Sequence, residues 1–285
     1  MTGQIHRRLS IAGLAAVGLA ACATAPDVPE LDAAEAIDPE RQPADQATRE
    51  AADRAPPLER ANFWASEHAK DPSDPEVTLR FGEALRTIGS HERVVDVTTQ
   101  TLVIHPNHSA LHLLRGRAQM ALGQFEYAAN AFTRAAASDP MNADAYANQA
   151  LAYDRLGQHR RAQAAYGRAL SIDANRPATR ANLGLSLALS GDLDGAEVQL
   201  RQAAEMPGAT STIRQNLALV LGLKGDFEAM EVAAQDAPDA VVDANVEALK
   251  SFRRLAQAGN AAADTADVVD EDPGLSLRGA LPDAN

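Results

Sequence analysis

Five glycines recur at one fixed spacing along this chain of 285 residues. They are Gly89, Gly123, Gly157, Gly191 and Gly225, and each lies 34 residues after the one before. A fixed period near this length indicates stacked copies of one supersecondary unit. Because such solenoids present extended concave surfaces to partners, the period favours a binding protein over an enzyme.

The period divides the chain into five units, in which each glycine occupies position 15. Units 1 to 5 are residues 75–108, 109–142, 143–176, 177–210 and 211–244. Apolar or small residues at positions 4, 7, 8 and 11 predict one helix, and those at positions 20, 24 and 27 predict a second. The glycine then ends the first helix in the left-handed conformation. Small residues at positions 8 and 20 predict a close helix crossing, and those at position 20 include Ala128, Ala162 and Ala196.

This set of positions resembles the tetratricopeptide repeat (TPR). The resemblance implies an all-α fold, a right-handed superhelix of about five helix-turn-helix repeats over residues 75–244 with flanking capping helices. Residues 57–74 match a lone second helix and residues 245–258 a lone first helix. Terminal units of a solenoid are atypical because one of their faces meets water, so we expect both segments to be caps.

The amino terminus predicts an export signal. Residues 1–21 combine a basic start with an apolar run of 13 residues, which is too short to span a bilayer. The sequence Leu-Ala-Ala-Cys that ends at Cys22 resembles the bacterial lipobox, which implies cleavage before Cys22 and lipidation of its thiol. Ala23 follows Cys22 where aspartate would signal inner-membrane retention, so the resemblance implies a lipid anchor on the periplasmic face of the outer membrane. Cys22 is the only cysteine, which excludes a disulfide within one chain.

Residues 22–56 and 259–285 are rich in alanine, proline and acids and poor in large apolar residues. This composition predicts a disordered tether and a disordered tail. The net charge is −13, and most of it lies in these two flanks. With no basic stripe to neutralise phosphates, the sequence argues against nucleic acid as a partner.

Position 6 is asparagine in three successive units, at Asn148, Asn182 and Asn216. In TPR proteins such asparagines face the concave surface, and an amide can both donate to and accept from the backbone of an extended peptide. Neighbouring groove positions are charged in the early units and apolar in the later ones, and include Arg117, Arg155, Leu185 and Leu219. The apolar part either takes a helix or hydrophobic peptide of a partner, or is covered by the terminal helix or the tail.

Candidate catalytic and metal sites have weak support. His108 and His112 have the helical i, i+4 spacing that metal sites use, with His105 close by. No carboxylate or cysteine completes the set, so a loop contact and a packing contact are the preferred interpretation. Metalloprotease, hydrolase, phosphate-loop and dinucleotide motifs are absent from the sequence. We therefore expect no enzyme activity, no metal and no cofactor.

The distal part of the chain carries the most specific resemblance. Residues 216–252 read NLALVLGLKGDFEAMEVAAQDAPDAVVDANVEALKSF and are similar to the end of the TadD family, the lipoproteins of tight-adherence (Flp-type) pilus assembly. The resemblance implies a scaffold at the outer membrane that binds envelope proteins, with a pilotin-like role toward the secretin included. Met230 departs from the family's usual alanine, and the tail after Gly259 is not a feature of the family. The alternative is a TPR lipoprotein adaptor for peptidoglycan enzymes or periplasmic proteases.

Overall fold

The computed structural model describes residues 42–235 together with Asp243, Val246, Glu247 and Lys250. These residues form twelve α-helices and no strand. The helices are α1 (Gln46–Asp53), α2 (Pro57–Lys70), α3 (Pro75–Thr87), α4 (His91–Ile104), α5 (Ser109–Ala121), α6 (Phe125–Ser138), α7 (Ala143–Arg155), α8 (His159–Ile172), α9 (Pro177–Leu189), α10 (Leu193–Glu205), α11 (Ser211–Lys224) and α12 (Phe227–Ala233).

Helices α3 to α12 form five antiparallel pairs that coincide with units 1 to 5. The first helix of each unit packs against the second helix of the same unit and against the second helix of the unit before. Successive first helices also contact each other, from α3 to α11, whereas successive second helices do not pack extensively in the described part of the chain. The first helices therefore form the inner layer of the stack, and the predicted all-helical repeat architecture is confirmed.

The glycine at position 15 ends every first helix by the same hydrogen bond. The five glycines have φ between 70° and 90°, a conformation that residues with a Cβ rarely adopt. The N–H of the following residue then donates to the carbonyl at position 11, over 2.8–3.0 Å in all five units. This bond is the signature of the Schellman motif, and it fixes the reversal of the chain between the two helices.

Position 8 marks the point where the two helices of a unit come closest. A Cβ added to Gly116 would lie 2.5 Å from the Phe132 ring, and one added to Gly184 would lie 2.8 Å from Leu200 Cγ. Phe132 and Leu200 both occupy position 24 and are fully buried. In unit 1, where position 24 is the smaller Thr98, Leu114 from the next unit lies against Gly82 instead, at 2.6 Å from such a Cβ.

The structure corrects the expected tether at its distal end. Residues 46–53 lie within the segment predicted to be disordered, but they form α1, which begins at the capping side chain of Asp45. The indole N–H of Trp64 donates to Asp53 at 3.0 Å, and Glu67 accepts from Ala44 N and Arg49 Nη2 at 3.0 and 2.9 Å. Helix α1 contributes no buried residue, and alanine is its largest apolar residue, so no large apolar side chain marked it in the sequence.

The second helix of unit 5 is shorter than its counterparts. Helix α12 ends at Ala233 after seven residues, whereas α4, α6 and α8 each have fourteen. Its position 24 is only Ala234, so little apolar area supports a longer helix. Val246, from the predicted carboxy-terminal cap, is helical and buried in the cluster with Ile213 and Leu217. The predicted signal peptide, Cys22, the rest of the predicted tether up to residue 41 and the predicted tail lie outside the described residues.

The contact between α1 and α2 predicts a pH-dependent spectroscopic change. Burial alone would raise the pKa of Glu67, but hydrogen bonds from Lys70, from the Ala44 N–H and from Arg49 outweigh it, and the pKa lies below the usual 4.5. The ionised Glu67 carboxylate therefore stabilises the contact between α1 and α2 above about pH 4.5. This stabilisation is lost as the pH falls through the lower pKa of Glu67 in the folded state. Trp64 is the only tryptophan, so its emission should move to longer wavelength as α1 detaches.

The Glu67→Gln variant should show the longer-wavelength Trp64 emission already at pH 7. Acidification should then shift its emission less than it shifts that of the wild type. Unchanged Trp64 emission in Glu67→Gln at pH 7 would mean that α1 is held by other contacts. The matched control is Glu83→Gln, because the Glu83 side chain is 44% exposed and forms its ion pair with Arg86 on its own helix.

Candidate functional site

The candidate site is the surface of the first helices that points away from their second helices. It carries positions 2, 9 and 13 of units 2 to 5 and position 6 of units 3 to 5, on α5, α7, α9 and α11. Successive helices of this set contact each other, so residues with the same position number follow one another across the surface. We call this surface the inner groove.

The three asparagines at position 6 lie on the inner groove, and all three are half-buried. Asn148 Nδ2 donates to the carbonyl of Asp144, one turn earlier in α7, over 2.8 Å. Asn182 and Asn216 make no side-chain hydrogen bond to any described residue. Two of the three predicted contacts for a peptide backbone thus have amides that make no hydrogen bond within the described residues, while the third, Asn148, is engaged by its own helix.

Leucines flank the asparagines on α9 and α11. Leu185 and Leu189 lie one helical turn apart at positions 9 and 13 of unit 4, and Leu219 and Leu223 repeat the arrangement in unit 5. Leu189 is 66% exposed and Leu219 is 45% exposed. Single exposed apolar residues are common on proteins. Here two exposed and two half-buried leucines share matching positions of two contacting helices, and we call this set the apolar patch.

Leu151 extends this patch into unit 3. It occupies position 9 of α7 and is half-buried, so position 9 reads leucine in three successive units. The sequence interpretation missed Leu151, although the same register that identified Leu185 and Leu219 identifies it. The patch and the asparagine row therefore run side by side from unit 3 to unit 5.

The part of the inner groove in units 2 and 3 carries charged side chains, and these form ion pairs with one another. Asp144 at position 2 of unit 3 forms an ion pair with Arg176, and Arg117 from unit 2 approaches it at 3.8 Å. Arg176 Nε also donates to Thr179 Oγ1 at 3.2 Å. Arg117 is thus part of a network between units 2, 3 and 4. The other predicted cation, Arg155 at position 13 of unit 3, is exposed beside the apolar patch.

Asp154 lies beneath the groove, between units 3 and 4. Its Oδ1 accepts from Ser186 Oγ at 2.6 Å and from His159 Nδ1 at 2.9 Å, and its side chain is only 12% exposed. Burial raises the pKa of the core residue Tyr166, and the nearby Asp154 carboxylate raises it further. The hydrogen bonds of Asp154 connect α7 to α8 and to α9 beneath the inner groove.

The groove suits noncovalent capture of a polypeptide. It offers half-buried amides for a peptide backbone, exposed leucines for apolar side chains and a charged end at Arg117. The three histidines around the junction of units 1 and 2 do not converge on a metal site, because His105 Nε2 bonds Ser73 O and His112 Nε2 bonds Pro106 O. Among the described residues, no group of three or more histidine, cysteine, aspartate or glutamate side chains is placed to hold a metal ion.

Comparisons with known proteins agree with this architecture. The family model described as "Tetratricopeptide repeat" matches residues 143–176, which are unit 3. A comparison of the sequence with curated proteins finds no match.

Solved structures share the fold. YrrB, described as a TPR protein with an unusual peptide-binding site, is 20% identical, with a TM-score of 0.55 over 67% of this chain and 99% of that one. MamA from Desulfovibrio magneticus RS-1 is 24% identical, with a TM-score of 0.52 over 56% of this chain and 90% of that one. At these identities the likeness concerns the fold alone.

The fold of this class suggests a scaffold for protein–protein interaction. Units 1, 2, 4 and 5 repeat the helix pairing and the glycine turn of unit 3. Unit 3 matches the family model over its full length, and the described part of the chain has the fold of tetratricopeptide repeat proteins.

Proposed function

We propose that this protein is a non-enzymatic scaffold whose inner groove binds a segment of another envelope protein. The observation that carries the proposal is the apolar patch of Leu151, Leu185, Leu189, Leu219 and Leu223 beside Asn182 and Asn216. Apolar side chains supply most of the affinity of such contacts, and amides fix the direction of a bound backbone. The binding energy would be used to hold a partner, with no chemical step.

We further propose that the scaffold is anchored by lipid on Cys22 at the periplasmic face of the outer membrane. The support is the lipobox-like sequence, which precedes the described residues. Nowhere in the described part is a helix both long and apolar enough to cross a bilayer. Two or more acyl chains give stable membrane attachment, whereas one chain is marginal.

The anchor makes a direct prediction for Cys22→Ser. Without the thiol, no acyl chain can be attached, so the variant should leave the membrane fraction and lose labelling by a radioactive or clickable fatty acid. The control is Ser10→Ala in the same segment, which should keep both. Unchanged fatty-acid labelling of Cys22→Ser would disprove lipidation at this residue.

The machine that the scaffold serves is proposed to be the tight-adherence (Flp-type) pilus. The support is the resemblance of residues 216–252 to the TadD family. Its first part forms most of α11 and supplies Leu219 and Leu223 to the groove. A secretin or another pilus protein would then be the partner, and a pilotin-like role would follow from capture of a secretin segment.

The experiment is chemical crosslinking of the lipidated full chain in native envelopes, followed by identification of the attached proteins. The proposal expects pilus or secretion components, and it expects their yield to fall in Leu219→Asp. Recovery of murein hydrolases or periplasmic proteases in their place would instead support the adaptor function. Recovery that is insensitive to Leu219→Asp would mean that the inner groove is not the binding surface.

A further inference from the structure

Unit 2 carries a cluster of basic side chains on the side of α5 that is opposite the inner groove. His112 and Arg115 occupy positions 4 and 7 of α5, and Arg134 occupies position 26 of α6. At 100° per residue, positions 4 and 7 lie across the helix from positions 9 and 13. The cluster is therefore a different surface from the one proposed to bind a protein segment.

The repeats place position 26 beside position 4. In unit 3 the Arg168 guanidinium lies over the Tyr146 ring, 5.7 Å from its centroid. In unit 4, Arg180 Nη1 donates to Gln202 Oε1 at 2.9 Å and to Gln199 Oε1 at 3.2 Å. In units 3 and 4, one of the two positions, 4 or 26, is an arginine, and the residue at the other position is its partner. In unit 2 the corresponding pair is His112 and Arg134.

The histidine of the pair is fixed as a hydrogen-bond acceptor toward Arg115. His112 is buried, and its Nε2 lies 2.8 Å from the carbonyl of Pro106, so Nε2 carries the proton and donates it. Its Nδ1 then accepts from Arg115 Nη2 at 3.2 Å. This contact holds the Arg115 side chain, but it supplies no negative charge.

The two arginines lack any anionic partner in the described part of the chain. No carboxylate oxygen lies within 4.0 Å of Arg115 or Arg134 there, and the enclosed Nε of Arg115 has no acceptor. Burial lowers the pKa of Arg115, and the charge of Arg134 lowers it further. Burial also lowers the pKa of His112, a shift that the bond to Pro106 opposes and that the charges of Arg115, Arg134 and His108 reinforce.

We propose that Arg115 and Arg134 form a binding site for an oxyanion, a phosphate or carboxylate group. Arg134 is exposed, whereas Arg115 is half-buried. An anion that contacts both guanidinium groups removes the repulsion between their like charges. The planar guanidinium matches the two oxygens of such a group, and its donors form short, charge-assisted bonds with them. The site is independent of the inner groove, so both can be occupied together.

The test compares the thermal unfolding of the full chain in chloride and in phosphate at the same ionic strength and pH. Phosphate should raise the midpoint of the wild type by a few degrees, because a ligand that binds only the folded state stabilises it. In Arg134→Gln the rise should disappear. The matched control is Arg168→Gln, at the same position of unit 3, which should keep the full rise.

A second readout separates anion binding from a structural role. In chloride alone, Arg134→Gln should unfold at or above the wild-type temperature, because it removes a repelling charge. A lower midpoint in chloride would show that Arg134 stabilises the fold directly and would overturn the proposal. So would an equal rise in phosphate for Arg134→Gln and the wild type.

The source of the oxyanion is resolved by a second titration with an acidic peptide of consecutive aspartates and glutamates. Stabilisation by phosphate alone, lost in Arg134→Gln, assigns the site to a small anion or phosphorylated ligand. Stabilisation by the peptide, lost in the same variant, assigns it to an acidic protein segment. If neither probe shifts the midpoint of the wild type, there is no oxyanion site.

Discussion

The Phe132→Ala variant should lose about 3–5 kcal/mol of unfolding free energy, the range for removing a fully buried aromatic ring. Phe132 is 0% exposed and fills the crossing of α5 and α6 against Gly116. Urea denaturation followed by circular dichroism measures the loss. Tyr127→Ala on the same helix is the control, because Tyr127 is 67% exposed and its removal should change stability by less than about 0.5 kcal/mol.

The same crossing predicts coupling between Gly116 and Phe132. Gly116→Ala alone should destabilise by about 1–3 kcal/mol, because its Cβ would overlap the ring. In the Phe132→Ala background the new Cβ has room, so the double variant should be more stable than the sum of the single changes predicts. Gly167→Ala is the control. Nothing lies within 4 Å of its Cβ, and the better helix propensity of alanine should stabilise by about 0.5–1 kcal/mol. Additive free energies would contradict the close crossing.

The second large effect is expected on binding. Leu189→Asp together with Leu219→Asp should weaken capture of the partner segment by at least about 100-fold, because two unpaired carboxylates would have to be desolvated against apolar side chains. Both leucines are substantially exposed, so helicity and unfolding temperature should stay close to wild type. Isothermal titration with the crosslinked segment, prepared as a peptide, measures the change.

The control for the leucine variant is Val103→Asp, because Val103 is 79% exposed on the second helix of unit 1. That variant should bind as the wild type does. Asn182→Ala should have a smaller effect, about tenfold, which corresponds to one lost hydrogen bond. Wild-type affinity of the double leucine variant would exclude the patch as the binding surface.

The period of the glycines was sufficient to predict the helix pairs of units 1 to 4 and the residues that end their first helices. It succeeded because each unit repeats one local interaction set, namely a left-handed glycine and a small residue at the crossing. The exceptions lie at the ends of the array. Helix α1 is held by side-chain hydrogen bonds to Trp64 and Glu67, and such long-range polar contacts leave no periodic pattern in a sequence.

The repeat register also predicted one part of the candidate site and not another. Register alone placed Asn182, Asn216, Leu185 and Leu219 on one surface, because equivalent positions of stacked units adjoin. Register could not show that Asn148 bonds its own helix or that Asp144 draws Arg117 and Arg176 into one network. The cluster of Arg115 and Arg134 matches no sequence motif, because positions 7 and 26 lie on different helices and only the pairing of those helices relates them.

The central claim is that the inner groove is the surface that holds the partner. The most direct measurement is photo-crosslinking in native envelopes, with a photoreactive amino acid placed in turn at Leu219, at Leu189 and at the outer-layer residue Val103. If the inner groove holds the partner, Leu219 and Leu189 should give a common protein adduct and Val103 should give none. An adduct from Val103 alone, or equal adducts from all three positions, would contradict it.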